Sequence, residues 1–213
     1  MSNETVPKLT FWFEFASTYT YLTLQRIEDA AKSAGVELEW RPILLGPIFG
    51  AQGWDTSPFK IYPAKGAFMF RDLERRAAAY GLPFKREGIL PVNSVMAARL
   101  AVAALEQSQG PAFCRRVSFA HWGEGRDISN ADVLEDCARA AGFDPQALSA
   151  RASDPAVKPR LRQNTEDAQS LGVFGAPSFT ARGELFWGDD QLEDALAWAR
   201  TGAMSPRNRS QPR

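Results

Sequence analysis

The sequence predicts an α/β core interrupted by a large all-helical subdomain. Three observations carry that prediction. Residues 9–44 read strand, helix, strand. Residues 47–165 hold helical patterns separated by Gly and Pro stops. The chain then returns to strand, strand and helix over residues 178–200. The two ends together supply four strands, enough for one sheet, and the stretch between them is mostly helical.

Each element has its own warrant. Leu9 to Phe15 is apolar and aromatic, broken only by Thr10 and Glu14, and has the length and flanks of a buried strand. From Tyr19 to Ala34 the apolar residues Tyr21, Leu22, Leu24, Ile27, Ala30 and Ala31 recur at helical spacing, and Gly35 closes the helix. Val36, Leu38 and Trp40 alternate and lead to Leu44, a second strand. Strand, helix and strand at this spacing form a βαβ unit, with parallel pairing and a right-handed crossover. Gly46 to Pro63 is rich in Gly and Pro and reads as loop. Helices are expected over 66–80, 94–109, 111–123, 130–141, 145–152 and 154–171, with Gly81-Leu-Pro, Gly110-Pro and Gly142-Phe-Asp-Pro as punctuation. Ser178 to Ala181 and Glu184 to Trp187 form a hairpin about Arg182-Gly183, and Asp189 to Arg200 is an amphipathic helix. Residues 1–46 and 166–203 then make one discontinuous domain, 47–165 an inserted helical domain, and 204–213 a disordered polar tail.

Charge and composition exclude several functions. Lys+Arg and Asp+Glu are equal at 25 each, so no basic excess marks a nucleic-acid surface. No apolar run approaches the ~20 residues that span a bilayer. The start lacks a charged segment followed by an apolar one, so the protein is expected in the cytoplasm. Cys114 and Cys137 lie in helical segments and read as isolated buried thiols. A single histidine, His121, with no Cys-His cluster argues against a metal site.

Two segments carry the chemistry. Phe11-Trp-Phe-Glu-Phe-Ala-Ser-Thr-Tyr-Thr-Tyr-Leu22 ends a strand and delivers Ser17 to a helix start. A serine there is a helix cap, since its oxygen accepts a backbone N–H. It is equally a hydroxyl that can donate to a thiolate, at a helix start that favours an anion. Leu171-Gly-Val-Phe-Gly-Ala-Pro-Ser-Phe179 brings the small Ala176 and then Pro177 to the start of another strand. That proline is either an edge device or a cis residue that turns the Ala176 backbone toward the Ser17 loop. Asp189 and Asp190 open the last helix; Asp190 with Glu193 matches a capping box, and a carboxylate there also suits an ammonium group. Lys65 is a loop cation. The layout is that of a thioredoxin-type site with Ser17 and Thr20 in place of the two cysteines.

Together these residues resemble the 2-hydroxychromene-2-carboxylate isomerases and kappa-class glutathione transferases, in the DsbA-like branch of the thioredoxin fold. Pro63-Ala-Lys-Gly66, Asp72, Tyr80-Gly-Leu-Pro83, Asn164-Thr165 and Leu185-Phe-Trp-Gly-Asp-Asp190 add to the match. The resemblance implies a homodimer that uses glutathione as cofactor. It implies that Ser17 contacts the glutathione sulfur, Thr18 and Tyr19 line the same turn, and Ala176 pairs through its backbone just before cis Pro177. Asp189 and Asp190 would hold the γ-glutamyl end, and Lys65 would meet glutathione or the second substrate. The implied reaction is isomerisation of an unsaturated aromatic-derived substrate by reversible thiolate addition; if the adduct is kept, the chain is a transferase. A non-catalytic module that binds peptides or a partner in the Ser17–Pro177 groove is the reading of another class. Phe49-Gly50 and Gly53-Trp54 replace a Lys and an Asn usual in the family, and Phe49, Trp54, Phe59, Phe68 and Phe70 are expected to wall the substrate side.

Overall fold

The computed structural model describes residues 6–54, 61–86 and 92–204. Phe59 and the tail beyond Met204 lie outside the described residues. One four-stranded sheet, in the order β2-β1-β3-β4, forms the core. β1 (Lys8–Phe13) runs parallel to β2 (Glu37–Pro42) and antiparallel to β3 (Ser178–Ala181), which pairs with β4 (Glu184–Trp187). The predicted hairpin has its predicted bounds.

β1 is apolar on both sides because both sides are covered. Leu9, Phe11 and Phe13 face the main apolar cluster with Leu24, Ile27, Leu192 and Leu196. Trp12 faces the other way, into a cluster with Ile43, Ile48, Ala168, Val173 and Ala176. Phe11 sits opposite Phe179 in the ladder, and their rings stack at 5.5 Å. The main cluster continues without a break into Ala97, Phe113, Val117 and Leu148, so the helices between β2 and β3 share the core of the sheet.

The helices run in chain order as α1 (Thr18–Leu24), α2 (Ile27–Ala34), α3 (Leu45–Ala51), α4 (Pro63–Ala79), α5 (Val95–Ala104), α6 (Gly110–Ser118), α7 (Ala131–Ala140), α8 (Pro145–Ala152), α9 (Val157–Ser170) and α10 (Leu192–Thr201). Three departures from expectation have identifiable causes. The helix expected from Tyr19 to Ala34 is two, broken at Gln25 and Arg26; Arg26 leaves helical geometry (φ −134°) and sends its guanidinium to Asp189 and Glu193. The expected Gly46–Pro63 loop contains α3, because Pro47 falls in its first turn, where a missing N–H costs nothing. Pro63 likewise opens α4 rather than ending a loop, so Lys65 is helical.

The end of the 111–123 pattern is a π-helical turn, Phe119–Gly123. It presents Trp122 inward, where the indole N–H donates to the Phe15 carbonyl at 2.9 Å. Phe84 stacks on the same indole, and the Lys85 N–H donates to the Trp122 carbonyl. Beside it, the His121 Nδ1–H donates to the Arg126 carbonyl at 3.0 Å, and burial pushes its pKa down, so the ring is neutral. The π turn thus pins the segment that leads from β1 to Ser17. Trp122→Phe keeps an aromatic ring, though a smaller one, but strands the buried Phe15 carbonyl. The expected cost is about 1–3 kcal/mol, read as a lower urea midpoint with an unchanged slope.

Candidate active site

Three turns and one helix converge on Ser17. β1 ends at Phe13, and the Ser17 N–H donates back to the Glu14 carbonyl at 3.1 Å, closing a tight turn. Ser17 caps α1 by accepting the Thr20 N–H, at a long 3.5 Å. Its hydroxyl proton goes elsewhere, to the Ala176 carbonyl at 2.6 Å. Ser17 thus caps α1 and at the same time ties the helix start to the Ala176 turn. The Ala176–Pro177 bond is cis. Trp187 closes over Gly175, where a Cβ would lie 2.6 Å from the indole nitrogen, so only glycine admits that approach.

The third turn follows β4. The Gly188 N–H donates to the Pro177 carbonyl at 3.0 Å, tying the aspartate turn to the proline turn. Gly188 has φ 108°, and a Cβ there would sit 2.6 Å from Asp190 Oδ1. The two aspartates have different fates. Asp189 is 1% exposed and fully engaged: it accepts from Thr23 Oγ1 (2.9 Å), Arg26 Nε (3.0 Å) and Tyr80 OH (3.2 Å). Asp190 is exposed and accepts no hydrogen bond from another described residue. It forms no capping box: the α10 cap is Gln191, which makes no side-chain cap bond.

α4 lays a polar stripe along the site. Lys65, Met69, Asp72, Arg76 and Tyr80 share one face at helical spacing. Thr18 Oγ1 donates to Met69 Sδ at 3.2 Å, and Tyr19 OH donates to Asp72 Oδ2 at 3.0 Å. Burial, and then Asp72, push the Tyr19 phenol up to about 12, so it remains a donor. Arg76 Nε also donates to Asp72 Oδ2, at 2.7 Å. Lys65 is exposed, with its ammonium 4.8 Å from the Tyr62 ring, and makes no ion pair with a described residue. Phe49 and Trp54 meet each other at 6.0 Å between rings. Phe49 lies in α3, which reaches the Ala176 turn through Ile48; Trp54 lies just beyond the end of that helix. Phe68 and Phe70 lie under the guanidinium groups of Arg75 and Arg86.

Some of the site was not foreseen. Glu14 is 4% exposed, yet its carboxylate accepts from Ser94 Oγ (2.5 Å), Leu45 N–H (3.1 Å) and Ala16 N–H (3.3 Å). One buried acid thereby fastens the Ser17 turn, the start of α3 and the start of α5. Its only sequence signal is a charge inside an aromatic strand. Phe174 and Trp187, paired at 5.0 Å and both about half exposed, flank the proline turn on the outside.

With this geometry in place, similarity to known proteins decides the family. The sequence model for the DSBA-like thioredoxin domain matches residues 8–197. The chain belongs to that family. It is 32% identical to a 2-hydroxychromene-2-carboxylate isomerase of Sphingobium xenophagum, over 87% of this chain and 94% of that one. It is 24% identical to human glutathione S-transferase kappa 1, over 85% and 86%. The solved structure of a 2-hydroxychromene-2-carboxylate isomerase superposes with TM-score 0.71 at 26% identity, covering 87% of this chain and 90% of the other. These relatives are enzymes, and the chain belongs with them. Among the described residues no helix is long and apolar enough to cross a membrane, and no group of side chains could hold a metal.

Burial drives the Glu14 pKa up against the lowering effect of its hydrogen bonds. A carboxyl with a raised folded pKa adds stability below its unfolded value, near 4.5, and loses it as pH rises through the folded value. Relative to Glu14→Gln, the wild type should lose stability as pH rises from 4.5 toward the raised folded value. Denaturant midpoints of both proteins across that range check the sign.

Proposed function

We propose that the chain is a glutathione-dependent isomerase acting on an unsaturated, aromatic-derived substrate. The observation that carries this reading is the Ser17 hydroxyl held 2.6 Å from the Ala176 carbonyl. A donor and an acceptor are paired there in readiness for a ligand that offers both a sulfur and a backbone N–H. When such a ligand enters, the hydroxyl proton turns to the sulfur and the Ala176 carbonyl accepts the ligand N–H, in the manner of a short added strand. Hydrogen bonding to the charged form lowers a thiol's pKa. α1 is only seven residues long, so the hydroxyl, not the helix dipole, carries that effect.

The donor set fits the tripeptide. The chain's two cysteines are buried, and burial raises both thiols, Cys137 to about 11. Neither is a thiolate at neutral pH, so a reactive sulfur must be brought in. Glutathione supplies a thiolate that adds reversibly to an unsaturated carbon and allows rotation about the bond before it leaves. Pro177 keeps the Ala176 backbone at the turn. Asp190 offers a free carboxylate to the γ-glutamyl ammonium, while Asp189 braces the turn from below. Thr18 and Tyr19 shape the pocket with their polar atoms turned to Met69 and Asp72. Lys65 adds an exposed positive charge on the ligand face of α4. Phe49 and Trp54 form an apolar wall that excludes water.

Kappa-type glutathione transfer is the second reading. Gly50 and Trp54, in place of the Lys and Asn usual in the resembled family, weigh against the isomerases' aromatic substrate more than against glutathione. A cytoplasmic homodimer belongs to the same reading, and sedimentation gives the oligomeric state directly.

Calorimetric titration with glutathione tests the proposal. The wild type should bind. Ser17→Ala should raise the bound thiol's pKa by about one unit, equal to about 1.4 kcal/mol, measured by thiolate absorbance. Absence of binding by the wild type overturns the reading.

A further inference from the structure

Phe174 and Trp187 are the one pair of touching rings, among the described residues, in which both members are exposed, at 45% and 51%. Single apolar side chains at a surface are ordinary, but a contiguous apolar patch beside a site marks something that covers it. The pair is held firmly in place. Trp187 sits opposite Ser178 in the ladder between β3 and β4, and Ser178 Oγ donates to the Gly175 carbonyl at 2.8 Å. The indole lies against Gly175, where a Cβ would be 2.6 Å from its nitrogen. The N–H of the next residue, Gly188, donates to the Pro177 carbonyl at 3.0 Å. Gly175 lies under the indole and Ala176 accepts from Ser17 at 2.6 Å. These two residues are consecutive, one Cα step of about 3.8 Å apart. The exposed ring pair therefore borders the place proposed for the ligand sulfur.

The base beneath the pair is shared with the rest of the site. Val173, which precedes Phe174, clusters with Ala176, Trp12 and Ile48. Leu185, on the same face of β4 as Trp187, packs against that cluster. Ile48 precedes Phe49, which meets Trp54 at 6.0 Å. Both aromatic pairs thus stand on one apolar base that contains Ala176. We propose that Phe174 and Trp187 form a platform for the flat ring of the second substrate and hold that ring beside the sulfur at Ser17. The inference rests on the glutathione reading and deepens it by assigning the residues that read the aromatic ring. Rotation about a bond of the adduct requires one half of the molecule to stay while the other turns. Ring-on-ring contact supplies that hold without fixing the polar groups of the turning half. A platform already braced by Gly175 and Ser178 adds it at little ordering cost. It also selects a planar ring over an aliphatic electrophile of the same size, which has no π-face to offer.

The test compares two probes by calorimetry on protein saturated with glutathione. One is naphthalene-2-carboxylate; the other is decahydronaphthalene-2-carboxylate, the same skeleton without a flat π-face. Wild type should bind the planar probe about threefold to tenfold tighter, the range of one aromatic contact. Trp187→Ala and Phe174→Ala should lose most of that preference, and Trp187→Phe, which keeps a ring, should retain it. Glutathione affinity, measured separately, should stay within about twofold of wild type in all three. Equal binding of the two probes by wild type overturns the platform and leaves the glutathione reading standing. So does a preference kept in Trp187→Ala and Phe174→Ala but lost in Phe49→Ala, which puts the ring on α3 alone. Variants that lose glutathione and the planar probe alike mark Trp187 as a brace for the proline turn, and the platform falls. If sedimentation shows that Trp187→Ala splits a dimer while the probe preference is unchanged, the patch is covered by a second copy and the platform falls. If glutathione does not bind wild type, the glutathione reading fails, and the same two titrations without it uphold or overturn the platform by themselves.

Discussion

The fold depends on β1 holding the middle of the sheet. It pairs with β2 on one side and β3 on the other, and it is covered above and below. β2 arrives after one crossover, but β3 returns only after the whole helical stretch. The Ser17–Ala176 hydrogen bond spans 159 residues of sequence. Closing so long a loop costs only slightly more than closing a short one, since the entropy grows with the logarithm of length. Phe11 against Phe179 and Trp12 against the Ala176 cluster repay it with buried aromatic surface. The site lies where that closure is made, so the geometry of Ser17 against Ala176 is inherited from the strand register. A slip of one residue would turn Phe179 to the wrong face and carry Ala176 away from the hydroxyl.

Burial then assigns roles to three carboxylates near one another in space or sequence. Glu14 is buried with three donors, two of them backbone N–H groups, and so it locks pieces of chain together. Asp189 is buried with Thr23, Arg26 and Tyr80, and so it braces the aspartate turn against α1, α2 and the end of α4. Asp190 is in water with no such partner. Residues adjacent in sequence therefore differ in function because Gly188 and the short 3₁₀ turn, Asp189–Gln191, send one side chain inward and the next outward. The penalty for a buried charge without partners makes the inward ones structural; the outward one retains its capacity for a ligand.

What the sequence made legible was what depends on local pattern. The hairpin, the strand that ends near Ser17, the cis bond at Pro177 and the cap at Ser17 all follow from short-range residue choice. The split of α1 from α2 did not, because it is set by Arg26 reaching Asp189, 163 residues away. α3 was hidden because Gly and Pro in a first helical turn look like loop. Asp72 and Tyr80 stood in a matching pattern, but their purpose shows only when α4 is laid against α1 and the aspartate turn. Arg76 gave no signal, and Glu14 only that of a charge inside an aromatic strand; neither has a meaning until its neighbours are known. The two aspartates were expected to act alike; depth separates them.

The same depth argument bears on the two positions where a redox relative would keep its cysteines. Ser17 is partly exposed and its hydroxyl lies in the groove beside Ala176. Thr20 is 0% exposed, and its hydroxyl has no hydrogen-bond partner among the described residues. The pair is unequal in access as well as in chemistry. A dithiol site needs a second sulfur able to attack the first; here the second position faces the interior and bears a hydroxyl. Only one polar atom of the pair can meet a ligand, and it can donate a hydrogen bond but cannot exchange a disulfide. A turn with one accessible hydroxyl, one backbone carbonyl and no thiolate of its own is suited to steadying a sulfur that arrives with the ligand.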